Sequence, residues 1–435
     1  MGSKNEPKFA VGAMVSVLLA VSTVSAGYGI VLPILPLMLQ AIDGPSATTE
    51  VSRHTGLLTG THALALFLFA PLWGKLSDRF GRRKILCLDL IGFGSSLLLS
   101  SIKLSIGMLY AERFLTGLFA AGITPVASAL IADQGGSDEW RARRLAWLSM
   151  AAISGFLLGP MLSGLLATLS GTSEVGEVAR SYELPFFTIA VAAAIASVAV
   201  RSFVPNDVTA VSAQGLTERL KPQVDDVLSL LTLRTISFLV AAGVGVFEVG
   251  LALRGNQELG MPPAQVALMF TVCSLVMFVV QAIVFSPKIS PSWTRWLIAP
   301  ALAVMATALL FIPVTLQYIA LLTTVSVVAA SAGILSPILT YWTSLESGKT
   351  KGAELGKQIA VVSLGQALGS VAGGSLYSFT MIPGAPFIVT ALLLAAAAMT
   401  ALKLPRWLEQ RQALRSEVTI VEGPCTTARS PSTKI

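Results

Sequence analysis

Long apolar runs, separated by short polar breaks, fill this chain from end to end. The runs are continuous rather than alternating, so they read as helices and not as barrel strands. Each is about 20 residues, which is what a helix needs to cross the hydrocarbon core. They predict spans over roughly 9–40, 55–73, 85–102, 106–132, 145–169, 185–204, 235–253, 264–286, 294–314, 316–342, 355–380 and 384–402. A polar segment, 205–232, separates six spans from six. Met261-Pro262-Pro263 breaks the chain before span 8, and Pro383 and Pro386 bracket the start of span 12. The tail, 404–435, is polar, and its end has the composition of disordered chain.

Composition agrees with the pattern. Of 435 residues, 54% are hydrophobic and 12% charged, against about 25% charged in soluble domains. A surface so poor in charge belongs in lipid. The net charge of +7 raises the question of nucleic acid, but the basic residues flank membrane spans instead of covering one soluble face. Placing both termini in the cytoplasm puts 25 of the 30 Lys and Arg in cytoplasmic segments and four in loops of the other side. That is the positive-inside asymmetry expected of twelve spans. The first apolar run is too long for the core of a signal peptide and reads as span 1. Cys87 and Cys273 lie in apolar runs and Cys425 in the tail, so neither a disulfide framework nor a metal cluster is expected. No cofactor is implied.

The densest polar feature is Gly74-Lys75-Leu76-Ser77-Asp78-Arg79-Phe80-Gly81-Arg82-Arg83-Lys84, between spans 2 and 3. It resembles the cytoplasmic loop motif of the major facilitator superfamily. Gly74, Leu76, Asp78, Arg79, Gly81, Arg82 and Leu86 fall in place. The resemblance implies a fold class: an all-α membrane protein with twelve transmembrane helices in two pseudo-symmetric six-helix bundles, 1–204 and 233–403. It further implies that Asp78 faces the N-terminus of span 11, where a helix favours an anion. Arg82 would pair with an acid at the end of span 4, where Asp133 stands. Together they would latch the outward-open state. The plainer reading is a basic loop that only sets topology.

Two further matches point to the drug–proton antiporters within that superfamily. Arg113-Phe114-Leu115-Thr116-Gly117 resembles the span 4 motif, whose arginine modulates proton transfer; the plainer reading is an Arg that snorkels to the headgroups. Glu112 is adjacent, and neighbours on a helix point about 100° apart, so no pair between them is expected. Gly155, Gly159, Pro160 and Gly164 in span 5 resemble the antiporter motif, with ordinary small-residue packing as the alternative. Span 11 repeats the glycine spacing at Gly365, Gly369 and Gly373, a sign of internal symmetry.

Acids at membrane depth are Asp89, Glu112 and Glu248, and His62 joins them as a titratable group. Intramembrane charge is costly and marks function. Glu248 is the first candidate for a proton carrier; pairing with Arg254 is its structural alternative. Tyr28, Gln281, Tyr341, Trp342 and Gln366 are candidates for lining a central cavity, and Pro33, Pro36, Pro125 and Pro337 for bending helices around it. The whole pattern is that of a transporter and not an enzyme: it holds no nucleophile–base or phosphate-cradling arrangement. Its expected partners are a small organic molecule (drug-like, amphipathic or siderophore-like), protons and membrane lipid, with the chain a monomer in the plasma membrane. Proton-coupled import of a metabolite, and a non-transporting sensor built on the same shell, stay open at this point. Topology is testable directly. Cysteines placed near Ser46 and Thr172 should react with an impermeant thiol reagent in intact cells, and those near Arg82 or Gln223 should not; labelling at Gln223 would invert or break the layout.

Overall fold

The computed structural model describes residues 11–44, 47–99, 105–134, 138–169, 183–205, 224–284, 291–346, 351–378, 384–407 and 409. Ser46, Thr172, Gln223, Cys425, most of the 205–232 segment and nearly all of the tail lie outside them. The described residues are helical almost throughout, without a strand. In chain order the helices are α1 (Val11–Val31), α2 (Leu35–Asp43), α3 (Thr48–Phe80), α4 (Arg82–Leu99), α5 (Ile106–Ala132), α6 (Asp138–Leu169) and α7 (Glu183–Phe203). The second half holds α8 (Val224–Leu253), α9 (Pro263–Val284), α10 (Ile298–Phe311), α11 (Tyr318–Glu346), α12 (Lys351–Tyr377) and α13 (Ala385–Ala401).

Eleven helical segments are long and apolar enough to cross a membrane. The twelfth, α4, is 18 residues long and carries Arg82, Arg83, Lys84 and Asp89. Those charges lower its mean hydropathy, yet it packs along α5 and α7 like its neighbours. The expected first span is two helices, because Pro33 and Pro36 interrupt the backbone ladder between α1 and α2. Two boundaries differ from the sequence reading. The polar segment is already helical from Val224, which leads straight into α8. The basic loop is not a loop: α3 runs on to Phe80 and α4 starts at Arg82. Gly81 alone separates them, at φ +96°, a backbone conformation that costs glycine little. Beyond the apolar segment the helix is free to continue in water, and Asp78 with Arg82 spans the joint as an i,i+4 ion pair.

Three apolar cores form. One draws almost wholly on α8–α13, with Leu302, Leu335, Trp342 and Phe387 at its centre. The second, around Leu86, Leu90 and Leu130, belongs to α1–α7, and the third, around Ile30, Phe93 and Phe186, also takes in Val249 and Leu253 of α8. In both halves a glycine stripe brings the fifth span onto the first. A Cβ on Gly155 would lie 2.0 Å from the Ser22 carbonyl oxygen, and one on Gly159 2.5 Å from that of Ala26. Gly365 and Gly369 of α12 approach Phe238 and Ala242 of α8 in the same way, at 2.5 and 2.1 Å. Gly155 and Gly159 of the antiporter-like stretch therefore pack α6 on α1, and the repeat in span 11 packs α12 on α8.

The halves meet along two further seams. Gly56 and Gly60 of α3 lie against Ser370, Gly374, Ala367 and Val371 of α12, and Gly164 of α6 lies against Ala267 of α9. Both seams are at the end that carries Gly44 and Gly260. At the opposite end, that of Gly81, a Cβ on Gly74 or Gly81 would meet nothing within 4 Å. Among the described residues, the close contacts between the bundles gather toward the Gly44 end. A Cβ on Gly56 would stand 2.5 Å from the Ser370 carbonyl oxygen, which is backbone and cannot swing away. Gly56→Val should therefore overpack the seam at a cost of about 1–3 kcal/mol, lowering the midpoint of thermal unfolding and raising thiol accessibility at the Gly44 end. An unchanged midpoint and accessibility would show that the seam is looser than described.

Candidate functional site

The deepest polar cluster lies between the halves. Glu248 of α8 is buried, and one of its carboxylate oxygens accepts hydrogen bonds from two elements. The Tyr28 hydroxyl of α1 donates at 2.7 Å and the Gln366 amide of α12 at 3.2 Å. Gln366 also donates to the Tyr28 oxygen at 3.0 Å. The Tyr28 ring stacks on His62 of α3, centroids 5.1 Å apart, and on Phe156 of α6 at 6.0 Å. His62 is buried, with Nδ1 3.4 Å from the Thr116 hydroxyl of α5. A carboxylate on one bundle is thus tied to a phenol on the other inside an aromatic box. This placement depends on the glycine stripes: only without side chains at Gly155 and Gly159 do α6 and α1 close enough to set Phe156 beside Tyr28.

One turn from Thr116 lie Glu112 and Arg113, both buried. The sequence reading has them facing apart; the structure pairs them. Arg113 donates through Nε at 2.6 Å and through its terminal nitrogen at 2.5 Å to the two Glu112 oxygens. Either charge alone would be stranded in an apolar bundle, and that penalty exceeds the cost of curling two long side chains together. Arg113 does not snorkel. Its charge is neutralised by Glu112 before it can act on Glu248.

Other expectations fare differently. Arg254 is not the partner of Glu248. It pairs with Glu258 and donates to the Pro313 and Thr315 carbonyls at 2.9 and 3.0 Å. Asp89 is fully buried on α4 and apart from the cluster. Its carboxyl rests against Gly122, where a Cβ would come within 2.0 Å of it, and neither oxygen has a hydrogen-bond partner among the described residues. Trp342 is not a cavity residue: it is wholly buried in the second bundle and donates to the Thr294 hydroxyl at 3.0 Å. Tyr341 stands edge-on to it, and Gln281 is half-buried on α9. An aromatic in an apolar helix packs inward as readily as toward a cavity, so periodicity alone does not separate Trp342 from Tyr28.

At the Gly81 end, Arg82 lies between two acids as expected, 2.5 Å from Asp78 and 3.1 Å from Asp133. Arg82 also donates to the Ser77 hydroxyl at 2.5 Å. Asp78 is 57% exposed and pairs with Arg82; the side chains at the start of α12, where it was expected to face, lie outside the described residues. Arg79 stacks on Phe80.

The Gly44 end holds residues that sequence reading passed over. After Leu253, α8 widens into a π-helical turn, Arg254–Glu258. It turns Asn256 and Gln257 toward the first bundle. Gln40 donates to Asn256 at 2.6 Å, Ser52 to Gln257 at 3.0 Å, and Gln257 to the Thr48 carbonyl at 3.2 Å. Tyr377 of α12 donates to Glu258 at 2.5 Å. The signal available was the polar run Arg254-Gly255-Asn256-Gln257-Glu258 directly after a span, although nothing in it names a partner.

Two helical bundles bridged by a buried polar cluster form the frame, and the family match says whose it is. The family model described as Major Facilitator Superfamily matches residues 17–355. The chain belongs to the Major Facilitator Superfamily. Among its relatives, Multidrug resistance protein 2 of Bacillus subtilis is 24% identical over 364 residues, 82% of this chain and 86% of the relative. Multidrug resistance protein 1 of the same organism is 26% identical over 402 residues, 88% and 94%. A partially occluded inward-open structure of the xylose transporter XylE from Escherichia coli has the same fold. Its TM-score is 0.71 at 13% identity, covering 91% of this chain and 98% of that one. Membership makes this superfamily chain a multi-pass integral membrane transporter and not an enzyme. The amide contacts at the Gly44 end should set its conformational balance. Asn256→Ala with Gln257→Ala removes three hydrogen bonds between the halves, each worth about 0.5–1.5 kcal/mol. Spin labels on α2 and α9 at that end should then show a longer-distance population; an unchanged distribution would assign closure to the glycine seams alone.

Proposed function

We propose that this chain is a secondary active exporter of a small organic molecule, drug-like, amphipathic or siderophore-like, driven by proton antiport. The observation that carries the reading is the buried Glu248 carboxylate, held by Tyr28 from one bundle and by Gln366 of α12. Names of the relatives support efflux as the direction, as does the likeness of Gly155, Gly159, Pro160 and Gly164 to the antiporter motif. The Lys and Arg asymmetry supports cytoplasmic termini in a plasma membrane. On that orientation the Gly44 end is outside and the Gly81 end inside.

The coupling then follows from elementary chemistry. A carboxylate accepting from a phenol and an amide makes charge-assisted bonds, roughly twice as strong as neutral ones. A proton on Glu248 removes the charge, so both donors lose strength together and the tie between α1 and α8 loosens. Protonation from outside and release to inside would thus bias the two-bundle equilibrium in opposite senses. His62, stacked on Tyr28, and the Glu112–Arg113 pair behind Thr116 complete the polar path; Asp89 is a reserve acid outside it. At the inner end, Asp78 would leave Arg82 for the N-terminus of α12 when the cytoplasmic side closes, while Arg82 keeps Asp133. The bundles 1–204 and 233–403 move about the 205–232 linker, and one chain suffices.

Glu248→Gln keeps the shape and cannot cycle a proton. In proteoliposomes it should abolish uphill export driven by a pH gradient while retaining binding or downhill exchange of an exported dye such as ethidium. Uphill export at the wild-type pH dependence would place the carrier elsewhere, with Asp89, Glu112 and His62 next in order.

A further inference from the structure

Arg144 lies in α6, in the first turn of its apolar stretch, which runs from Arg143 to Leu165. Its guanidinium sits over two tryptophans of the same helix, 5.3 Å from the Trp140 ring centroid and 4.5 Å from that of Trp147. The spacing is i−4 and i+3, so both rings and the arginine share one helix face. Arg144 forms no ion pair or hydrogen bond with the described residues. Arginine can make cation–π contacts through its face and still donate in its own plane, where its N–H fork matches phosphate.

The setting indicates what would take those donors. Trp140 is buried and anchors the clamp, whereas Trp147 is 41% exposed. Trp147 is in line with the exposed Leu158, Met161 and Leu165; at 3.6 residues per turn the four fall within about 60° of arc. This stripe is continuous, apolar and turned away from Gly155 and Gly159, the side that packs on α1. It is a lipid-facing stripe, and Trp147 stands at the end where the polar part of α6 begins. The guanidinium therefore lies at headgroup depth, at the end that also carries the exposed cations Arg143, Lys75 and Arg79.

We propose that Arg144, clamped by Trp140 and Trp147, is a binding site for the phosphate of an anionic phospholipid, whose acyl chains run down the lipid-facing side of α6 past the exposed Met150 toward Leu158. The site needs no transport cycle and stands apart from the Glu248 cluster, so its failure would leave the transport reading untouched. The ligand is the phosphate diester of a lipid with net negative charge. The cations of this end favour a lipid of net negative charge over a zwitterion.

The test titrates the purified full chain in detergent with phosphatidylglycerol and, separately, with phosphatidylcholine, counting bound lipid by native mass spectrometry. The wild-type protein should retain one phosphatidylglycerol at concentrations where phosphatidylcholine is lost. Arg144→Lys keeps the charge but loses the planar fork, and Trp147→Ala removes the exposed ring. Both should weaken that adduct about fivefold or more, whereas Arg143→Gln, which removes an unclamped neighbouring charge, should weaken it less. Equal retention by Arg144→Lys and wild type would reduce the site to diffuse charge attraction and overturn the proposal. So would equal binding of the two lipids, or a loss in Arg143→Gln as large as in Arg144→Lys. Trp147 is on the surface, so its variant remains informative if an Arg144 variant fails to fold.

Discussion

A carboxylate in the middle of an apolar bundle is the constraint that the rest of this molecule answers to. Glu248 is held by Tyr28 and Gln366, and those donors come from α1 and α12. The two halves of the protein therefore share responsibility for one buried group. Neither half satisfies it alone, and a large separation of α1 from α8 would leave an acid without its phenol. Burying a polar group without a partner costs on the order of kcal/mol, comparable to the few kcal/mol that separate two populated conformations. Small chemical changes at one oxygen are thus of the right size to move whole bundles.

That leverage requires the bundles to be stiff. The glycine stripes supply the stiffness by bringing backbones into contact. α6 rests on α1 and α12 on α8 with no room for a methyl group at Gly155 or Gly369. Between the halves the same device is used more sparingly, at Gly56, Gly60 and Gly164. Within a bundle the small residues run the length of the interface; between bundles they are confined to one end. Strong contacts inside and end-limited contacts between are what a rocking motion needs, because the second set can be exchanged without disturbing the first.

Much of this was legible from residue order. Span positions follow from hydropathy, because a lipid-facing helix cannot hide its polarity, and the Asp-Arg-x-Gly-Arg array identified the joint between α3 and α4. Glu248 and His62 stood out because polar groups are rare at that depth. Tyr28 and Gln366 were suspected for the same reason, and the structure places them beside Glu248. Sequence could not show that Glu112 reaches Arg113, since the geometry of ideal helices argues against it and only the absence of any other partner forces it. Nor could it separate Trp342, sunk into its own bundle, from a cavity aromatic. The π-helical turn after Leu253 was invisible because nothing in a five-residue polar run specifies a wider helix. Asp89 was noticed, but its solitude against Gly122 is a fact of packing.

The two ends of the molecule use different chemistry for their contacts, and this has a consequence for the medium on each side. At the Gly44 end the halves are joined by neutral amides and hydroxyls, Gln40 to Asn256 and Ser52 to Gln257. At the Gly81 end the polar contacts are ionic, with Arg82 between Asp78 and Asp133. Mobile ions weaken attraction between exposed charges within a Debye length of about 8 Å at physiological ionic strength, and they leave neutral amide contacts nearly untouched. The amide contacts that join the halves at the Gly44 end are therefore indifferent to added salt, while the pair that the exposed Asp78 makes with Arg82 is the one that added salt weakens.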